Sequence, residues 1–212
     1  MSFGFNLLDA SSSEVIDSTL PIFVQVSEGS VYTNTEYSGA YGAEVPLPAG
    51  FTNCVVAYDI PIGKWLAIGG NVVYAHKDTG KATVPYKVFA QSNQVTPSSD
   101  SFGLRIYNAT NKLLFDSGKI LFNVVSYILF ESRPDTAMVM TMMPGKWLIP
   151  SVFGIAGIVP VTNNFGDFYS PYFYRHAGGQ IDTALKMFDT SPGYNDSQPT
   201  EYYCSITEID IT

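Results

Sequence analysis

The chain has 212 residues, 46% of them hydrophobic and 14% aromatic, which is enough apolar material to build a core and excludes wholesale disorder. Charged residues are only 14%, against about 25% in an ordinary globular protein, so the surface must be made largely of Ser, Thr, Asn, Tyr and Gly. The formal net charge of −8, with 11 scattered basic residues, argues against a nucleic-acid partner, because phosphate binding needs clustered Lys and Arg.

The opening residues, Met1-Ser2-Phe3-Gly4-Phe5-Asn6, lack a basic stretch followed by an apolar run, so no secretory signal is expected and the chain reads as soluble and made in a cytoplasm. Phe3 to Leu8 is predicted as a strand, Ala10 to Ser13 as a small polar turn and Glu14 to Asp17 as the returning strand. Ile22 to Val26 is predicted as a third strand. Further strands are predicted over Cys54 to Ile60, Trp65 to Ile68, Asn71 to His76 and Pro85 to Ala90. The polar run Gln91 to Asp100, with Pro97 inside it, reads as a linker and sets a boundary near residue 98.

Past that linker the chain repeats itself. Ser2 to Val26 aligns without a gap on Ser101 to Val125. Ser2-Phe3-Gly4 matches Ser101-Phe102-Gly103, Asp17-Ser18 matches Asp116-Ser117, Phe23 matches Phe122 and Val26 matches Val125. A second, shorter echo sets Pro61-Ile62-Gly63-Lys64-Trp65-Leu66 against Met143-Pro144-Gly145-Lys146-Trp147-Leu148, which holds the only two tryptophans. Two copies are too few for a solenoid, so the expectation is an all-β protein of two tandem β-sandwich, or partly open barrel, modules related by internal duplication. The modules would be residues 1–98 and 99–212. The wider spacing between the two echoes in the first half implies an insertion there, placed over Glu28 to Gly50; the second half extends instead through Asn163 to Pro199.

The remaining predicted strands are Tyr127 to Glu131, Ala137 to Met142, Trp147 to Phe153, Phe168 to Tyr174, Leu185 to Phe188 and Tyr202 to Ile211. Only Thr183 to Phe188 has tolerable helical composition. The longest apolar run, Val152 to Pro160, is too short for a membrane helix, which needs about 20 residues, so no membrane insertion is expected. Cys54 and Cys204 lie in opposite halves with no nearby Cys or His and are read as buried, reduced thiols.

Signatures of catalysis are missing: there is no phosphate-cradling Gly-rich loop, no Gly-x-Ser-x-Gly, no His-Glu-x-x-His and no Cys-x-x-Cys. Neither an enzyme nor a cofactor or metal site is expected. His76 is assigned to a turn and His176 to an ordinary hydrogen-bonded role. Asp17 and Asp116 are assigned to capping the turn after the second strand of each copy. The contact surface is placed on the aromatic run from Phe165 to His176, with Phe168, Tyr169, Tyr172, Tyr174, Arg175 and His176 as its residues, because Tyr joins a flat apolar face to a polar tip. The competing reading of that run is a strand whose alternating aromatics fill a core.

Phe3-Gly4-Phe5-Asn6-Leu7-Leu8-Asp9-Ala10 with Val15-Ile16-Asp17-Ser18, and more closely Phe102-Gly103-Leu104-Arg105-Ile106-Tyr107-Asn108-Ala109 with Leu114-Phe115-Asp116-Ser117, resembles the opening of small tail proteins of long-tailed bacteriophages. Tyr86-Lys87-Val88-Phe89 ahead of the second copy is similar to them too. The resemblance covers about a quarter of the chain. It implies a minor tail, tail-tip or baseplate component of the virion, packed in several copies against other phage tail proteins and around a central fibre or tail-tip hub. The alternative is a host-surface receptor or carbohydrate-binding module of the tail tip.

Overall fold

The computed structural model describes residues 6–8, 14–17, 21–37, 39–132, 138–141, 147–153, 168–177, 180–189 and 202–210. Short apolar runs broken by Gly, Pro and Asn make strands almost throughout. In chain order they are β1 (Asn6–Leu8), β2 (Glu14–Asp17), β3 (Phe23–Tyr32), β4 (Thr35–Glu36), β5 (Ala40–Glu44), β6 (Val55–Tyr58), β7 (Trp65–Gly69), β8 (Val72–His76) and β9 (Thr83–Gln91). They continue as β10 (Arg105–Tyr107), β11 (Leu113–Asp116), β12 (Asn123–Ser132), β13 (Met138–Thr141), β14 (Trp147–Phe153), β15 (Phe168–Arg175), β16 (Gln180–Asp189) and β17 (Tyr202–Asp210). Two single 3-10 turns, Lys77–Thr79 and Ser92–Gln94, are the helical structure among the described residues. The segment of helical composition lies within β16, where pairing with β15 overrides its propensity.

All pairs of named strands are antiparallel, in two hairpins and two larger sheets. The six-stranded sheet runs β12-β17-β14-β6-β9-β3 and the seven-stranded sheet β13-β16-β15-β7-β8-β5-β4. Each sheet therefore joins strands from before and after residue 98, with β6 against β14 at the centre of one and β7 against β15 at the centre of the other. The six-stranded sheet also turns back on itself. The residues entering β12 bridge β3 at the opposite edge: Val24 faces Leu121, Gln25 N–H donates to Ile120 O at 2.9 Å and Phe122 N–H to Phe23 O at 3.0 Å.

Alternation along β6 and β9 sends their side chains into two different cores. Val56 and Tyr58 of β6 and Val84, Tyr86 and Val88 of β9 meet Leu66, Ile68, Val73, Ala75, Phe173 and Ile181 of the other sheet. Ala57 and Phe89, on the opposite faces of β6 and β9, pack with Phe23, Val55, Phe122 and Trp147 where the six-stranded sheet turns back. Burying each such large side chain contributes on the order of 1.5–3 kcal/mol.

Where both copies of the first echo are described, their strands pair in the same register. In one hairpin Asn6 faces Asp17 and Leu7 faces Ile16, with an irregularity between Leu7 and Leu8. In the other Arg105 faces Asp116 and Ile106 faces Phe115, with the irregularity between Ile106 and Tyr107. The following strands agree as well. β3 steps over Val26 in its pairing with β9, and β12 steps over the matching Val125 in its pairing with β17. The matched Phe23 and Phe122 face each other, ring centroids 6.0 Å apart.

The second echo does not behave this way. Trp65 opens β7 in the seven-stranded sheet, while Trp147 opens β14 in the six-stranded one. Trp65 lies 5.0 Å from the Tyr174 ring; Trp147 lies under the Lys87 ammonium at 5.2 Å. Pro, Gly and Lys before an apolar residue are the chemistry of any turn entering a strand, so this likeness carries no common position. The insertion inferred from it over Glu28 to Gly50 is accordingly mostly sheet: β3 runs to Tyr32, and β4 and β5 follow.

Candidate interaction surfaces

The predicted surface on β15 divides into a buried part and a half-exposed part. Tyr172 and Phe173 are fully buried, so neither belongs to an exposed contact face. Phe173 enters the main core. Tyr172 lies on the other face of the seven-stranded sheet with the His76 ring edge-on at 5.1 Å, and its hydroxyl is buried with no hydrogen-bond partner among the described residues. Burial, aided by the nearby Tyr74, pushes that phenol well above its ordinary range. Tyr174, Arg175 and His176 are half-buried. The Tyr174 ring sits between Trp65, tilted at 5.0 Å, and His176, edge-on at 4.8 Å. Arg175 pairs with the Asp59 carboxylate, and its carbonyl accepts the Gly63 N–H at 2.8 Å. The end of β15 is thus clamped to the turn before β7. Phe168 and Tyr169 stand in β15, opposite Asp189 and Met187; their side chains lie outside the described residues.

His76 ends β8, and its Nδ1 accepts the Asp78 N–H at 3.2 Å, the turn role expected for it. Thr79 completes that turn, its hydroxyl donating to His76 O at 3.3 Å and accepting the Trp65 N–H at 3.1 Å. Cys54 is a half-buried free thiol whose pKa burial raises. Cys204 lies in β17, and β14 separates that strand from β6, so their backbones are about 9 Å or more apart, beyond disulfide reach. Among the described residues, no group of three His, Cys, Asp or Glu could hold a metal, and no helix is long and apolar enough to cross a membrane.

The hairpin β10–β11 has a tightly fixed base, with exposed apolar residues leading into it. Asp116 is the fixed point. Its carboxylate, 1% exposed as a residue, accepts the Ser98 N–H at 2.6 Å, the Ser98 hydroxyl at 2.9 Å and the Gly118 N–H at 2.9 Å, and faces Arg105 Nε at 3.5 Å. Burial would raise its pKa, but the Ser98 and Gly118 donors and the Arg105 charge outweigh burial and hold the carboxyl below its ordinary range. The bond to Gly118 two residues on is the turn-capping role predicted for it. Arg105 also donates to Ser98 O at 2.7 Å and Asp100 O at 2.8 Å. The run Gln91 to Asp100 is therefore fastened to the hairpin: Ser92, buried, donates to Leu114 O at 2.6 Å.

Ile106, Leu114 and Phe115 of this hairpin form a small core with Ile22 and Leu121. Phe102 is 92% exposed, and Leu104, Tyr107, Ile120 and Val124 are also exposed. Gly103 has a reason internal to the fold, since its φ of +141° and a would-be Cβ 2.6 Å from Ser117 Oγ demand glycine. Phe102 has no such reason. Its signal was present in the sequence, as the aromatic retained in both Ser-Phe-Gly copies, but composition alone could not place it outside the core.

No family model, no curated protein and no solved structure matches this chain.

Proposed function

We propose that this protein is a non-enzymatic structural component of a bacteriophage tail, a minor tail, tail-tip or baseplate protein built from two related β-sandwich modules. It works through protein–protein contacts with other tail proteins, a central fibre or hub among them. The observation that carries the reading is Phe102: a 92% exposed aromatic, next to a glycine the hairpin requires and matched in the sequence repeat by Phe3. An exposed large aromatic gains its hydrophobic free energy only when a partner covers it, and aromatics so placed are typical interface anchors. Duplication is supported by the shared hairpin register and by the paired steps at Val26 and Val125. Strand order agrees, β3-β9-β6 answering β12-β17-β14 across the middle of one sheet. A doubled unit whose halves share both sheets makes a stiff block, suited to fixed contacts in an assembly. Mass spectrometry of purified phage particles tests the assignment: the chain is expected in intact tails at a fixed ratio to the main tail protein, and its absence from them would overturn the reading.

A further inference from the structure

The outer edge of β3 is half occupied. Its first half already takes an added strand, since Phe23 O and Gln25 N–H bond to Phe122 and Ile120 of the segment entering β12. That segment ends there, in a turn closed by the Lys119 N–H on Asp116 O at 3.1 Å. Past the step at Val26, the pairing with β9 decides which backbone groups of β3 point outward. Thr33 N–H donates to Ala82 O at 2.9 Å, so in this register Thr33, Val31 and Gly29 bond inward to β9 and the residues between them do not. Pro85, opposite Ser30, agrees: it has no N–H, and its carbonyl accepts the Asp59 N–H at 3.1 Å on the β6 side. Glu28, Ser30 and Tyr32, all exposed, therefore aim their N–H and C=O groups away from the sheet, with no backbone partner among the described residues.

This stretch lacks the features that keep sheet edges apart. Glu28 to Tyr32 contains no Lys and no Pro, and Gly29 and Ser30 at its middle are small enough for a second backbone to approach. Its one charge is balanced, because Glu28 Oε2 lies 3.3 Å from Lys87 Nζ and accepts from Gln25 Nε2 at 3.1 Å. The net charge of −8 is thus not felt at this edge as a bare carboxylate. The ladder is also self-complementary. About a twofold axis at Ser30, antiparallel pairing sets Ser30 against its own counterpart and Glu28 against the counterpart of Tyr32, so that six backbone bonds form. Moving the axis by one residue loses two of those six. The carboxylate then faces an uncharged ring and not its own copy, and Tyr32, 53% exposed, gains a neighbour.

We propose that two copies of this chain associate by antiparallel pairing of their β3 edges about a twofold axis at Ser30. The contact is separate from Phe102 and does not rest on the tail reading. Sedimentation equilibrium of the full chain, at concentrations up to about 200 μM, reads it directly. The mass should rise toward twice that of the chain, and Phe102→Ser should associate as the parent does. Residue 30 faces itself across the axis, so Ser30→Lys alone and Ser30→Asp alone should each weaken association by about tenfold or more, while an equimolar mixture of the two should recover it. Ser30 is exposed and its N–H is not used by β9, so both variants should keep the parent melting temperature. A parent that stays monomeric throughout, species larger than a dimer, association of Ser30→Lys as tight as the parent's, or a mixture no better than its components would each overturn the proposal.

Discussion

The sequence echoes itself in two places, and the structure treats them oppositely. The long echo from Ser2 and from Ser101 leads to two hairpins of identical register and two strands that step over the same valine. The short echo around Trp65 and Trp147 leads to different sheets, different neighbours and different positions in the strand order. The difference lies in what each stretch dictates. A gapless run of some twenty-five residues specifies alternation, turn and bulge together, and a slip of one residue would turn every side chain to the wrong face. Six residues of turn chemistry specify only that a strand begins.

The largest effect that separates the two echoes is expected from the bulge. Deleting Val26 removes the extra residue of β3 and forces either a register slip against β9 or a reversal of its faces. The variant should lose its cooperative thermal transition by circular dichroism, and so should the Val125 deletion. If one deletion melts like the parent, the equivalence of the two strands is broken.

Next in size is the anchor of the hairpin. Asp116→Ala strips Ser98, Gly118 and Arg105 of a buried acceptor and should cost about 3 kcal/mol in urea unfolding. The same carboxylate governs an acid limb. With its folded pKa depressed, ionised Asp116 contributes stability that is fully present above the unfolded carboxyl value of about 3.9 and lost as the pH falls through the lower folded value. Asp116→Asn should therefore flatten stability against pH in that window. Running Asp17→Asn beside it shows whether the first hairpin is anchored in the same manner.

The smallest effect bears on the tryptophans. Double-mutant cycles should find Trp65 coupled to Tyr174 and Trp147 to Lys87, each by about 0.5–1 kcal/mol, with nothing measurable for the crossed pairs. Coupling of Trp147 to Tyr174 would restore the positional echo that the sheets deny.

How far the fold was legible follows the same division. Strands from Cys54 to Ala90 fall where apolar runs and turn residues put them, because their burial is decided by local alternation. Strand order was not legible: that β6 meets β14 and β7 meets β15 depends on pairings between residues far apart in sequence, which no local pattern encodes. The Gln91 to Asp100 run looked like a linker because it is polar. Its polarity instead satisfies Leu114 O and Asp116 inside the structure. On β15 composition favoured an exposed aromatic face, whereas alternation buries Phe173 in the main core and the His76 ring helps to cover Tyr172. The most exposed aromatic among the described residues lies elsewhere, at Phe102, in a stretch that the sequence repeats.

The central claim of the proposed function is that this repeated, uncovered aromatic serves a protein partner, proposed to be a tail protein. Complementing a phage that lacks the chain with Phe102→Ser tests it, by counting the copies incorporated per purified tail against the parent protein. At 92% exposure the substitution should leave the melting temperature unchanged while incorporation falls by about tenfold or more, and further when Phe3→Ser is added. Full incorporation of the double variant would contradict the account.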